Sequence, residues 1–177
     1  MVRPKKALML TQWKHNKKGI SAIEILIAVA IIALTFTSLL GLATFSLKAS
    51  LLTKENIKAK NIAQETLEAV RNFRDGTDWE DANGLKNILT GEDNPYHPEK
   101  NGSVPPEWEL VAGEEAINGF TRKVFFYNVQ RDINDNIVES GGINDDYTKK
   151  VKVFVSWQER GRDHQIEIIT YLTDWRQ

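Results

Sequence analysis

Lys17-Lys18-Gly19-Ile20-Ser21-Ala22-Ile23-Glu24-Ile25-Leu26-Ile27-Ala28, with the uncharged run that continues from it, is the stretch on which the fold turns. Residues 25–47 contain no charged residue and no proline. At about 1.5 Å rise per residue a helix of that length reaches roughly 30 Å, enough to cross a hydrocarbon core. The run is mostly Ile, Leu, Val and Ala, diluted by Thr35, Thr37, Ser38, Gly41, Thr44 and Ser46. Hydroxyls are tolerated in such a helix because each can bond a carbonyl one turn back. A buried core helix is the alternative, but core helices seldom stay uncharged for so long.

Working outward to the N-terminal side, residues 1–19 carry Arg3, Lys5, Lys6, Lys14, Lys17 and Lys18 and no acid. Setting those six aside leaves 17 basic residues against 24 acidic, a net of −7. A body with that surplus has no general attraction for nucleic acid. The basic segment resembles the first part of a secretory signal, yet a secretory apolar region runs only about 7–15 residues and is cut at its far end. Here the run is longer and the polar junction, Lys17-Lys18-Gly19, precedes it. A start at Met9 in place of Met1 keeps the same junction. The charge asymmetry predicts the leader in the cytoplasm and the C-terminal body outside.

Glu24 is the one acid inside the apolar stretch, five residues after Gly19. An unpaired carboxylate at membrane depth costs about 2.5–3.5 kcal/mol on insertion scales, less near the interface, so it calls for a counter-charge. Cleavage after Gly19 would create an α-amine on Ile20, one helical turn from Glu24 in the same chain and within reach of Glu24 on a staggered neighbour.

The segment Lys17 to Ala28 resembles the prepilin cleavage and methylation motif of the type IV pilin-like family: a basic pair, glycine, a hydrophobic residue, and glutamate at the fifth mature position. The resemblance is strongest over residues 17–52 and continues along the helix to about residue 75. It implies cutting of Gly19–Ile20 by a prepilin peptidase, N-methylation of Ile20, and storage in membrane lipid. It also implies an assembly role for Glu24 toward other pilin or pseudopilin subunits and an inner-membrane assembly platform. Ile20 stands where the family most often has Phe, Ala22 where Leu is usual, and Gly41 where many major pilins have proline. Glycine costs about 1 kcal/mol relative to alanine in a helix, so Gly41 is a candidate point of helix flexibility.

Beyond the apolar run, Ala59, Ile62, Ala63, Thr66, Val70 and Phe73 recur at intervals of three and four, with Leu67 and Ala69 widening the face. The stretch from Ala63 to Asp75 resembles minor pilins of the pilus-modification type. Residues 76–116, rich in Gly, Asn, Asp and Pro, read as a packed αβ-loop. Strand signals occupy residues 117–177: 120–130, the alternation of Val151, Val153, Val155 and Trp157, and that of Ile166, Ile168, Thr170 and Leu172; 108–111, ahead of them in the loop, is a possible fourth. The expected fold is therefore α+β. A long N-terminal helix, transmembrane over 20–52 after loss of the leader 1–19 and amphipathic over 53–75, packs on a small antiparallel sheet of three or four strands.

Chemistry is sparse. Cysteine is absent, and the three histidines, His15, His97 and His164, are scattered, so neither nucleophilic catalysis nor a thiolate metal site is expected. Asp132, Asn134, Asn136, Asp145 and Asp146 approach calcium-loop spacing but lack the glycine and closing glutamate of an EF-hand, leaving calcium an open alternative to no cofactor. Arg122, Lys123, Lys149, Lys150, Lys152, Arg160, Arg162 and His164, with Phe126, Tyr127 and Trp157, could form a DNA-uptake surface; the acidic balance argues against it. The expectation is a non-enzymatic minor pilin or pseudopilin of a type IV pilus or type II secretion-like filament. The alternative is a signal-anchored extracytoplasmic binding module that does not polymerise.

Overall fold

A computed structural model of the chain describes Gly19 and residues 21–175. One helix, α1 (Ala22–Gly76), is followed by seven strands: β1 (Tyr96–Lys100), β2 (Trp108–Ala112), β3 (Glu115–Ile117), β4 (Phe120–Arg131), β5 (Ile137–Val138), β6 (Ile143–Glu159) and β7 (Arg162–Thr173). The contacts divide the chain into two units that meet between Ala49 and Ser50, and α1 contributes to both. The α+β class follows directly.

In the second unit the helix buries Ala59, Ala63, Thr66, Leu67, Ala69, Val70 and Phe73. This is the face marked by the three-and-four spacing. There Val70 and Phe73 join Phe120, Val124, Phe126, Val151, Val153, Val155 and Leu172 in one core. The opposite face is wet and carries the pairs Lys58–Glu55 at 2.9 Å and Arg71–Glu68.

The sheet is antiparallel throughout, in the order β2-β1-β4-β6-β7, with β3 and β5 also laddered onto β4. Seven strands replace the expected three or four, and the segment 76–116 holds β1, β2 and most of β3. β1 contains Pro98, which lacks an N–H and argues against a central strand. It is accommodated because only Tyr96 of β1 pairs with β4; the Pro98 carbonyl instead accepts from Arg122 Nη2 at 3.1 Å. Between β3 and β4, Asn118 and Gly119 both take positive φ (51° and 85°), the geometry of a two-residue primed turn that suits Asn-Gly.

Across β4, β6 and β7 the register decides what faces the helix. Val124 is opposite Val153 and that opposite Ile168; Phe126 is opposite Val151 and that opposite Thr170. The alternate rows, such as Phe125–Lys152–Ile169 and Tyr127–Lys150–Tyr171, lie on the outer face. The β4–β6 register shifts between Asn128 and Val129, so residues 146–148 of β6 have no partner on β4. The indole of Trp79 fastens this bulge by donating to the Asp146 carbonyl at 2.9 Å.

Arg122 falls on the inner face and is only 5% exposed. Its guanidinium bonds Glu115 Oε2 on β3 at 2.6 Å and Thr66 Oγ1 on the helix at 3.4 Å, besides the Pro98 carbonyl. Thr66 in turn donates to the Ile62 carbonyl at 2.7 Å. A buried cation is tolerated here because every direction it points in offers an oxygen.

Candidate functional site

In the first unit, every described residue of α1 up to Ala49 is exposed. Ile23 (65%), Leu34 (69%) and Leu47 (66%) are typical, and the apolar surface runs all round the helix. An 18-residue window reaches a mean hydropathy of 2.6 with none of it buried. Among the described residues α1 is the one helix long and apolar enough to cross a membrane, and it lies near the N-terminus. A helix apolar on all sides requires lipid or other helices around it.

Four of its hydroxyls are turned onto the helix backbone. Thr35 Oγ1 donates to the Ile32 carbonyl at 2.8 Å, Ser38 Oγ to Leu34 at 2.9 Å and Thr44 Oγ1 to Gly41 at 2.8 Å; Thr37 Oγ1 reaches both Ala33 and Leu34. These hydroxyls therefore bring no unpaired group into an apolar medium. Gly41 lies within the helix, and a Cβ built on it meets no atom within 4 Å. Nothing in the chain's own packing requires glycine there.

Gly19 is exposed and precedes the helix; Ile20 lies outside the described residues. The Ser21 carbonyl accepts from the backbone N–H of Glu24 at 3.0 Å and of Ile25 at 3.3 Å, which sets the first turn. Ser21-Ala22-Ile23-Glu24 has the spacing of a capping box, and a carboxylate in the first turn is favoured by the unsatisfied N–H groups at the helix start. Glu24 has no ion-pair partner among the described residues.

The acidic residues singled out as weak calcium ligands are employed locally. Asp132 Oδ1 accepts from the N–H groups of Asn134 (2.8 Å) and Asn136 (2.9 Å), and the Asn136 amide adds to it. The bonds from Asn136 hold the Asp132 carboxyl below its ordinary value. Burial alone would raise Asp145, but its bonds from Arg131 (2.7 Å), Thr148 and the Tyr147 N–H keep it low. Asp146 is bonded by the Asn144 amide. Among the described residues no three His, Cys, Asp or Glu side chains are grouped as a metal site.

The residues grouped as a candidate basic surface do not all lie on one face. Arg122, Lys149, Phe126 and Trp157 are buried. Lys123 pairs with Glu114 at 3.4 Å, and Lys152 with Glu92 at 3.5 Å and Glu167 at 3.4 Å. His164 stacks on Trp157 at 5.3 Å, His97 lies against the Gly113 carbonyl at 3.3 Å, and His15 is outside the described residues. Lys150 and Tyr127 do share an outer row, and Tyr171, which sequence alone did not single out, joins them through the register of three strands. Compared with known proteins, the chain matches no family model, no curated protein and no solved structure.

Proposed function

We propose that the chain is a minor pilin or pseudopilin: a non-enzymatic, membrane-stored subunit of a helical filament, processed at Gly19–Ile20 by a prepilin peptidase. The observation that carries this reading is Glu24, the sole acid in the exposed apolar part of α1 up to Ala49, placed five residues after the glycine of a basic junction. Before assembly the helix stands in lipid with the leader in the cytoplasm and the sheet outside. During assembly an inner-membrane platform transfers it into a bundle of like helices, where van der Waals packing replaces contact with acyl chains.

The chemistry asked of the chain is electrostatic. Trimming creates an α-ammonium on Ile20, and in the bundle the Glu24 carboxylate of one subunit meets the ammonium of another. The pair spares each group the cost of lying unpaired in hydrocarbon, so addition of a subunit is favoured and its axial register set. Two further observations support the reading. The inward-bonded hydroxyls leave a surface that lipid and protein solvate equally well. The same helix then continues as the cover of an antiparallel sheet.

Mass spectrometry of the N-terminus of the membrane-held protein tests this, with methylated Ile20 as the expected first residue. A protein retaining its basic leader in cells with an active prepilin peptidase would falsify the reading and favour the non-polymerising anchored module. Glu24→Ala is expected to be cut normally but to fall well below the native level in sheared filaments. Unchanged incorporation would remove the role given to the ion pair.

A further inference from the structure

We propose that the outer face of the sheet carries a cleft for an acidic saccharide, seated on Tyr127, Lys150 and Tyr171. This is independent of whether the chain polymerises. The three residues form one cross-strand row over β4, β6 and β7. With strands about 4.8 Å apart, the two tyrosine backbones lie about 10 Å from one another with the lysine between them. They line a cleft of about 510 Å³, within the range of ligand sites. Tyr171 is 44% exposed, and Tyr127 is half-buried with its hydroxyl tied to Glu92 at 3.1 Å.

The polar groups around the row have a definite sense. Gln130 Oε1 accepts from the Gly142 N–H at 3.2 Å. That amide thus spends its oxygen on the protein and keeps its NH₂ group free as a donor. The Lys150 ammonium lies 6.0 Å from the Tyr127 ring centre and has no carboxylate partner among the described residues. With the Tyr171 hydroxyl this makes three donor groups against one free carboxylate, Glu139. A ligand complementary to them is rich in oxygen acceptors, bears a negative charge, and offers C–H faces to two phenol rings. Carboxylated pyranose chains combine those properties. Single-stranded nucleic acid fits less well, because a phosphate backbone needs a run of unpaired cations, and Lys123 and Lys152 are already neutralised by Glu114, Glu92 and Glu167.

The test is calorimetric titration of the full chain in lipid nanodiscs with three probes: a galacturonic acid tetramer, a neutral hexose tetramer and a short oligothymidylate. The acidic tetramer is expected to bind saturably at submillimolar concentration, more tightly than either other probe. Lys150→Gln should weaken it about tenfold or more, as loss of a charged hydrogen bond implies, while barely affecting the neutral tetramer. Tyr171→Ala, at an exposed edge position, should weaken both sugars with an unchanged melting curve. Failure of the acidic tetramer to bind, equal affinity for the neutral one, preference for the oligothymidylate, or native affinity in either variant overturns the proposal.

Discussion

The guanidinium of Arg122 on β4 is held by Glu115 on β3 and by Thr66 on α1, and Glu115→Gln is the perturbation that isolates the ion pair. Breaking a fully buried pair by removing one partner costs about 3–5 kcal/mol, because the remaining charge stays desolvated. Glu115 keeps 34% of its side chain in water while Arg122 keeps only 6%, so solvent screening reduces the expected cost to about 2 kcal/mol. Arg122→Met removes the charge, fills much of the space, and leaves Glu115 free to hydrate. If the 2.6 Å contact acts as argued, the double variant should cost less than the sum of the two single variants by about 1.5 kcal/mol or more. Glu114→Gln, which removes the partner of Lys123 at 3.4 Å on the exposed face, serves as the control and should cost below about 0.5 kcal/mol. Urea unfolding of the full chain in detergent micelles, followed through the buried indoles Trp79 and Trp157, reads the native protein and all four variants. A coupling below about 0.5 kcal/mol would refute the claim that this β3–β4 contact compensates the buried guanidinium.

Three other outcomes are expected. Gly41→Ala meets no obstructing atom and should make the helix around it more resistant to amide hydrogen exchange, by about 1 kcal/mol; faster exchange there would contradict this. Gly84→Ala places a methyl against the carbonyl oxygens of Asp78 and Trp79 and should cost about 1–3 kcal/mol by urea unfolding, with a loss of near-ultraviolet dichroism from Trp79. Lys149 is 5% exposed, and burial pushes its ammonium below the usual lysine value, Asp146 opposing in part. The unfolded chain therefore holds that proton over a pH interval in which the folded chain has released it, so stability rises with pH up to about 10.4. Lys149→Met should exceed the native protein in stability at neutral pH, the gap closing as pH climbs toward the upper end; a gap independent of pH would show that the amine is not desolvated.

Much of the fold is visible in local patterns. The buried positions Ala59, Ala63, Thr66, Val70 and Phe73 are those that the helical period marks, and β6 buries Val151, Val153, Val155 and Trp157 in strict alternation. Along β4 the buried positions Phe120, Arg122, Val124 and Phe126 alternate as well, but a lone arginine reads as surface until the oxygens around it are known. β1 was hidden by Pro98, which is tolerated only because its neighbour β4 turns to ladder with β3 and β5 instead. Asn118-Gly119 was a legible turn signal that would have revealed β3. The first half of β6 has no alternation to read, since its bulge breaks the pleat.

By itself the sequence determined that this chain carries a spanning-length apolar helix with one acid near its start, and that the helix becomes one-sided where it gains charge. Those properties follow from composition and from a period of 3.6 residues, both local to the segment. Tertiary structure alone decided that the sheet has seven strands, that Arg122 and Lys149 are interior, and which outer side chains share a row. Strand pairing joins residues far apart in the chain, and its register depends on which combination of pairings leaves the fewest buried groups without a partner.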